Sequence, residues 1–180
     1  ITICGPDEAT LTSTISPSNA VVSWFEYPNG NSVIATGTSY TTLSLGADKT
    51  YYAEADNKGC ASARTSVLIT VKPRPVISAA SATPICGTSG TSTLTASSFV
   101  GATITWYPIP NAGLASGTGS PFTTPVLTSN RNYYAEATLN GCKSTPRTLV
   151  TATLSPLPTV TGVDGSRCGT GTITLSATAS

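Results

Sequence analysis

Apolar and polar residues alternate along short segments of this chain, a pattern typical of β-strands that bury one face. Gly, Pro and Asn separate the segments, and none has the apolar period of about 3.6 residues that marks an amphipathic helix. Between positions 73 and 155 the pattern predicts seven strands, at 76–79, 91–96, 102–107, 114–116, 122–127, 132–138 and 143–154. Short strands joined by such turns predict an all-β fold, built as an antiparallel β-sandwich.

The alternation also assigns the two faces of these strands, because successive side chains point to opposite sides of a sheet. Inward-pointing side chains are expected at Val22, Trp24, Tyr51, Ala53, Ala55, Ile104, Trp106, Tyr133, Ala135 and Ala137. Outward-pointing side chains are expected at Tyr107, Tyr134 and Glu136. The two tryptophans and the tyrosines at 51 and 133 are therefore predicted to be core residues rather than ligand-binding platforms.

The pattern repeats along the chain with a constant shift of 82 positions. The residues Cys4, Trp24, Tyr51, Tyr52 and Cys60 recur as Cys86, Trp106, Tyr133, Tyr134 and Cys142, and the next Cys-Gly pair begins at Cys168. Prolines at 73, 75, 156 and 158 mark the joins, since they hold an extended backbone and stop helices. The sequence predicts a tandem array. Unit one covers 1–72 and lacks its first strand, unit two is complete at 73–155, and unit three begins at 156–180.

The last strand of unit two is predicted to be irregular. Arg64 and Arg147 lie 83 positions apart, so this strand contains one residue more than its counterpart in unit one. Pro146 cannot donate to a strand ladder. We therefore expect a bulge at Thr145 or Pro146 that unit one lacks.

Each of the five cysteines is next to a glycine at a repeated position of the sequence. Cysteines placed in this way fit disulfides in an oxidising compartment better than free thiols. Spacing alone would pair Cys4 with Cys60 and Cys86 with Cys142. Topology opposes this pairing, because the two cysteines of one unit fall at opposite poles of a sandwich, about 20 Å apart. The Cα atoms of a disulfide lie only about 4.4–6.8 Å apart. Units stacked head to tail would instead pair Cys4 with Cys142. Cys60 and Cys86 would then pair with units outside this segment, and Cys168 has no partner here in either arrangement.

Charge and composition exclude several classes of function. Charged residues make up 9% of the chain and the net charge is +1, which gives no reason to expect nucleic acid as a partner. The chain has no His, so Ser-His-Asp or Cys-His catalysis cannot be built, and the acidic residues form no pair suited to acid–base catalysis. Metal-ligand spacing is also absent. We expect no enzyme activity, no metal and no cofactor.

One set of outward-facing residues recurs in both units. It comprises Tyr52, Glu54 and Arg64 in unit one, and Tyr107, Tyr134, Glu136 and Arg147 in unit two. Aromatic rings edged by charged groups can bind sugars, so these residues form a candidate glycan-binding face. Cross-strand pairs of this kind also commonly cover an exposed sheet without binding any ligand, and we favour that simpler interpretation.

Two features of the sequence resemble known families. The Leu six residues before Tyr51 and before Tyr133 resembles the tyrosine corner of fibronectin type III and immunoglobulin-like domains. The segments SRCGTGTITLSA (166–177), ITWY (104–107), YYAEA (133–137) and NGC (140–142) resemble the Ig-like repeats of giant surface proteins of the Bacteroidetes phylum. The resemblance covers the whole chain and implies tandem immunoglobulin/fibronectin-III-like sandwiches.

The resemblance also implies a function and a location. Repeats of this family form long filaments on the cell surface, so the chain is expected to be a non-enzymatic part of a giant adhesin. Export by the type IX secretion system to the outer-membrane exterior, and attachment during gliding motility, are implied with it. The implied partners are neighbouring repeats of the same chain, a surface polysaccharide or substratum, and motility or secretion machinery reached through other regions. The alternatives are a polysaccharide-binding Ig-like module and an accessory array of a secreted enzyme.

Overall fold

The computed structural model describes residues 1–179, which form β-strands joined by turns and loops, without a helix. Unit one contains β1 (Thr2–Gly5), β2 (Thr10–Thr12), β3 (Val21–Phe25), β4 (Val33–Thr36), β5 (Ser39–Thr41), β6 (Lys49–Asn57), β7 (Cys60–Ala61) and β8 (Thr65–Pro73). The larger sheet has the order β1-β8-β6-β3-β4, with β7 also on β6, and the smaller sheet pairs β2 with β5. β1 runs parallel to β8, while the other pairs are antiparallel.

Unit two repeats this arrangement with an additional strand at its start. Its strands are β9 (Ala79–Ala82), β10 (Ile85–Cys86), β11 (Thr93–Ser97), β12 (Thr103–Tyr107), β13 (Gly117–Thr118), β14 (Phe122–Thr123), β15 (Arg131–Leu139), β16 (Cys142–Lys143), β17 (Thr148–Ala152) and β18 (Leu154–Ser155). One sheet is β13-β12-β15-β16 with β17 on β15, and the facing sheet is β14-β11-β9. β10 runs parallel to β18, as β1 does to β8. The predicted all-β sandwich fold is confirmed.

Each unit has its own core, centred on a tryptophan. Trp24 and Trp106 are both fully buried, and each indole Nε1 donates to a backbone carbonyl, that of Gly37 at 2.8 Å and that of Gly119 at 2.9 Å. A second ring lies between each tryptophan and a buried tyrosine. In unit two this ring is Phe122, whose centroid lies 6.4 Å from both partner rings. The structure thus places Trp24, Trp106, Tyr51 and Tyr133 inside the two sandwiches.

Several predicted strand bounds are wrong. The first strand of unit two lies at Ala79–Ala82 instead of 76–79, and the fourth lies at Gly117–Thr118 instead of 114–116. The segment 122–127 is a strand only at Phe122–Thr123, and 143–154 is divided into three short strands. Alternation identifies a strand and its faces, whereas the ends depend on which neighbouring backbone is within hydrogen-bonding distance.

The predicted irregularity in the last strand is present in unit two, but the expected contrast with unit one is wrong. The Ser144 N–H donates to the Ala137 carbonyl, and pairing resumes with Thr148 opposite Ala135, so residues 145–147 lie opposite Glu136 alone. In unit one, residues 63–64 lie opposite a single residue in the same way. Both units interrupt the ladder at the arginine that recurs in the repeat, and unit two inserts one residue more.

Unit three is represented by one antiparallel pair, β19 (Val160–Val163) and β20 (Ser176–Ala179). It corresponds to the pair β9–β11 of unit two. The final residue of the predicted segment, Ser180, lies outside the described residues.

Replacing Trp106 with Ala should destabilise unit two selectively. Removing a buried aromatic ring from a packed core costs about 3–5 kcal/mol, and the Gly119 carbonyl would also lose its donor. Hydrogen exchange followed by mass spectrometry resolves the two units. We expect faster exchange in β11–β17, whereas the Leu114→Ala control, at a side chain that is 90% exposed, should leave exchange unchanged. Unchanged protection in Trp106→Ala would show that this ring is not central to the core.

Candidate functional site

A disulfide joins unit one to unit two, between Cys4 and Cys142. Cys4 lies in β1 opposite Lys72, at the end of β8 where the chain leaves unit one. Cys142 follows the turn at Asn140 and Gly141, which have φ values of 51° and 85° and form the tip of the β15–β16 hairpin. Asn-Gly is the favoured sequence for such a turn because both positions require positive φ. The Cα atoms of the two cysteines lie 5.5 Å apart, within the usual range for a disulfide.

The structure therefore contains the pairing between units rather than the pairing within each unit. Glycine contributes to this placement, because a Cβ on Gly5 would collide with the Val71 side chain and the Leu45 carbonyl. A side chain there would force β1 away from β8 and would move Cys4 with it.

Polar contacts surround the disulfide but contribute little by themselves. The Lys72 Nζ donates to the Asn140 carbonyl at 3.3 Å. Arg74 contacts both units, since its Nη2 is 3.0 Å from the Asp7 carboxylate and its Nη1 is 3.4 Å from the Lys143 carbonyl. The Asp7 side chain is 55% exposed, and exposed pairs of this kind contribute at most about 1 kcal/mol. The covalent bond is the strong element of the joint.

The other three cysteines, Cys60, Cys86 and Cys168, are exposed and unbonded within the described residues. Cys60 follows a turn at Lys58 and Gly59 with φ values of 54° and 88°, so it occupies the same hairpin-tip position as Cys142. Cys86 ends β10, the strand that corresponds to the one carrying Cys4. Cys60 is thus placed as Cys142 is, and Cys86 is placed as Cys4 is, in the disulfide that joins the two units.

On the face of the β12–β15 sheet that points away from the core, the Arg147 side chain bridges the strands and the loop that follows β12, and we call this set of contacts the clamp. Its guanidinium carbon lies 3.3 Å from the centroid of the Tyr107 ring, a stacked cation–π arrangement. Its Nε pairs with the Glu136 carboxylate at 3.0 Å, and its Nη1 donates to the carbonyls of Ile109 and Ala112 at 3.2 and 2.8 Å. The loop that follows β12 is therefore held over the outer face of the sheet by one side chain.

This clamp corrects the expectation that the outer residues cover an exposed surface. Tyr107 and Glu136 point outward as the alternation predicts, yet they are only 9% and 6% exposed, because Arg147 and the loop lie over them. The Tyr107 hydroxyl is 3.3 Å from the Glu136 carboxylate, and the Lys143 Nζ is 3.0 Å from it.

Two opposing effects act on the Glu136 carboxyl. Burial by itself would raise its pKa, but hydrogen bonds from Lys143 and Arg147, together with their positive charges, outweigh burial and hold the pKa below the usual value. The same contact raises the pKa of Lys143, chiefly through its hydrogen bond to Glu136. The carboxylate is therefore ionised near neutral pH and serves as the centre of the clamp.

Unit one has a simpler version of this clamp. The Arg64 guanidinium carbon lies 3.5 Å from the centroid of the Phe25 ring, and its Nε pairs with Glu54 at 3.0 Å. Its Nη atoms donate to the carbonyls of Tyr27 and Gly30. The Glu54 side chain is 25% exposed, against 7% for Glu136. Position 61 holds Ala where unit two has Lys143, so the second cation is missing.

The structure thus brings together most of the candidate glycan-binding face, while Tyr52 and Tyr134 remain half-buried beside the clamps. All three guanidinium nitrogens of Arg64, and Nε and Nη1 of Arg147, donate to carboxylates or loop carbonyls of the same unit. Sugar binding at this face stays a prediction. Sequence reasoning missed the loop carbonyls as partners, because a backbone acceptor carries no mark in the sequence.

The described residues contain no group of three or more His, Cys, Asp or Glu side chains that could hold a metal ion. Nor does any helix capable of crossing a bilayer occur among residues 1–179.

Comparison with known proteins gives one family match. A family model described as "Ig-like domain CHU_C associated" matches residues 1–73 and again 74–156. A search of curated proteins gives no match. Among solved structures, fibronectin(III)-like modules of Clostridium thermocellum CbhA are 16% identical over 86% of this chain and 89% of theirs, with a TM-score of 0.41. An I-band fragment from titin is 12% identical over 99% of this chain and 72% of its own, with a TM-score of 0.39. The insect immune protein hemolin is 15% identical over 86% of this chain and 44% of its own, with a TM-score of 0.40. Identities this low carry no functional inference.

Arg147→Met should destabilise unit two by about 3 kcal/mol at neutral pH, because it leaves a buried carboxylate with only the exposed Lys143 as a charged partner. Urea unfolding measures the loss. Arg64→Met is the matched comparison and should cost less, since Glu54 is more accessible to water. Lys143→Ala should cost at most about 1 kcal/mol. Equal losses for the two arginine variants would contradict the role assigned to burial.

The lowered pKa of Glu136 also predicts how stability depends on pH. A carboxyl whose pKa is lower in the folded state stabilises the fold above its unfolded value of about 4.3, and this contribution disappears as the pH falls through the folded pKa. Urea midpoints at about pH 7 and pH 3 should therefore differ less for Glu136→Gln than for the unmodified protein. A pH dependence that this substitution leaves unchanged would contradict the assignment.

Proposed function

Because the chain belongs to the family of Ig-like domains described as CHU_C associated, we propose that it is a load-bearing segment of a long, non-enzymatic cell-surface adhesin. The observation that carries this proposal is the disulfide between the two units. A spacer that transmits tension needs joints that hold when its modules open. Small enzymes and isolated binding modules have no such need.

The disulfide sets the path along which tension travels. Cys4 and Cys142 are 138 positions apart in sequence, but their Cα atoms are 5.5 Å apart. Tension that enters at the start of unit one passes through the sulfur–sulfur bond to the last hairpin of unit two. The intervening residues include both tryptophan cores and most of the strands of the two units, and they lie in a loop that carries little of this tension.

The exposed Cys60 and Cys86 extend the proposal along an array. They occupy the hairpin-tip and β1-like positions, and we propose that each forms the corresponding bridge with a neighbouring repeat. Successive bridges would then overlap, because Cys86 lies inside the loop closed by Cys4 and Cys142. An array of overlapping loops can lengthen only in small steps under load, which suits a filament that anchors a moving cell.

The finer assignment is an adhesin similar to the gliding-motility adhesin SprB. It would be exported by the type IX secretion system and exposed on the outer-membrane exterior, where it contacts a substratum or surface polysaccharide. The array and its cross-linked joint support this assignment over the alternatives of a polysaccharide-binding module or an accessory array of a secreted enzyme. The clamp weighs against direct sugar binding, because Nε and Nη1 of Arg147 already donate to groups within the unit.

Single-molecule stretching between residues 1 and 180 tests the load path. The variant should carry Cys60→Ser, Cys86→Ser and Cys168→Ser, so that only the Cys4–Cys142 bridge can form. Reduction should lengthen the fully unfolded chain by about 480 Å, since 138 positions extend by ~3.5 Å each. Adding Cys4→Ser and Cys142→Ser should give the longer chain without reductant. Equal lengths before and after reduction would contradict the proposal.

A further inference from the structure

The loop between β3 and β4 of unit one forms an open pocket of about 200 Å³. The loop spans residues 26–32, and its two ends are held together because Phe25 lies opposite Val33 in the antiparallel pair. The pocket is beside the clamp of unit one. Two aromatic residues, the clamp arginine and three small polar residues line it, namely Phe25, Tyr27, Arg64, Asn29, Asn31 and Ser32.

The clamp fixes the backbone of this loop. The Arg64 guanidinium stacks on the Phe25 ring and donates to the carbonyls of Tyr27 and Gly30. The Val33 N–H also donates to the Asn31 carbonyl, at 3.1 Å. A loop that is ordered in this way on a rigid sheet has less conformational freedom to lose when it binds a ligand.

The side chains of the loop, in contrast to its backbone, are not used by the fold. Tyr27 is 67% exposed although it is a large aromatic residue. The side chains of Asn29, Asn31 and Ser32 make no hydrogen bond within residues 1–179. Tyr, Asn, Ser and Gly are the residues that predominate in antibody binding loops, because Tyr supplies rigid contact area and the others supply adaptable hydrogen bonds.

Unit two shows that the fold does not require these polar side chains. Its equivalent loop, 82 positions later, is held in the same way, since Arg147 donates to the carbonyls of Ile109 and Ala112. The Pro-Asn pair of the loop is also retained. Three lining residues differ, and in unit two the places of Tyr27, Asn31 and Ser32 are taken by Ile109, Gly113 and Leu114.

The lining indicates the chemistry of a ligand. The ionic groups nearby are already paired, Arg64 with Glu54 and Lys49 with Glu26, so the pocket favours an uncharged ligand. Amide and hydroxyl side chains both donate and accept hydrogen bonds, as sugar hydroxyls do, and the Tyr27 ring offers an apolar face with a polar tip. The volume is below the roughly 300–1,000 Å³ of pockets for drug-sized ligands, which limits the ligand to a single ring.

We propose that this pocket binds one uncharged sugar ring of a polysaccharide, with the ring on Tyr27 and its hydroxyls bonded to Asn29, Asn31 and Ser32. The clamp arginine holds the loop and does not itself bind the sugar. The proposal rests on the adhesin function in one respect, since it gives unit one a direct contact with a surface polysaccharide. A single contact of this size is weak, and it gains strength when several repeats of an array engage one polymer.

Titration of the isotopically labelled 180-residue protein with methyl glycosides tests the site, followed by the chemical shifts of the backbone amides. The probes are the glycosides of glucose, galactose, mannose, xylose and N-acetylglucosamine. At least one should shift the amides of residues 26–32 saturably, with half-saturation at roughly 1–10 mM, because so small a ligand gains little binding free energy. The loop at 108–116 in unit two is the internal control and should not respond. The methyl glycoside of glucuronate should bind no more tightly than that of glucose.

The double variant Tyr27→Ile with Asn31→Gly installs the residues of unit two and should weaken binding by about tenfold or more, because it removes the aromatic anchor. The Leu114→Ala control alters an exposed side chain of the other loop and should bind as the unmodified protein does. Amide shifts outside residues 26–32 confirm that the double variant is folded.

The proposal is overturned if no glycoside shifts the amides of residues 26–32, if the double variant keeps the affinity, or if both loops respond equally. Reduction of the Cys4–Cys142 disulfide should leave sugar binding unchanged. Failure of this site would therefore leave the load path through the disulfide standing, and failure of the stretching experiment would leave the sugar site standing.

Discussion

The disulfide between Cys4 and Cys142 is the constraint on which the arrangement of the chain depends. Each unit has its own tryptophan-centred core, and the polar contacts across the joint are few and largely exposed. Apart from the covalent bond, the two units are related by these weak polar contacts and by a proline-containing connection in which Pro75 is fully buried. The bond closes a loop of 138 positions, and such a cross-link stabilises by roughly 2–5 kcal/mol. It therefore links the two neighbouring sandwiches covalently at one point.

Three kinds of residue recur from unit one to unit two, and each has a different physical task. The tryptophans and the first tyrosine of each pair fill the core of their own unit. The arginine and glutamate on the opposite face hold a loop over the sheet, so that both faces of the central strands are covered. The cysteines act between units. The repeated residues thus specify the core of each unit, the loop that covers the outer face of its sheet, and the disulfides between units.

The periodicity of the strands was sufficient to predict the sandwich and the inward position of Trp106 and Tyr133. Reasoning about poles favoured the disulfide between units, because the ends of a strand are too far apart for one bridge, but it left the pairing within each unit as an alternative that the structure then decided. The covering of Tyr107 could not be predicted, since alternation tells which face a residue occupies and not what lies above it. The clamp depends on loop carbonyls, which meet the arginine only in three dimensions.

The covalent cross-link runs between units and not within them. The most direct measurement is digestion of the purified, unreduced protein, followed by mass spectrometry of the disulfide-linked peptides. We expect one linked pair that contains Cys4 and Cys142, which disappears on reduction, while Cys60 and Cys86 remain available to alkylation. A linked pair that contains Cys4 and Cys60, together with one that contains Cys86 and Cys142, would contradict it.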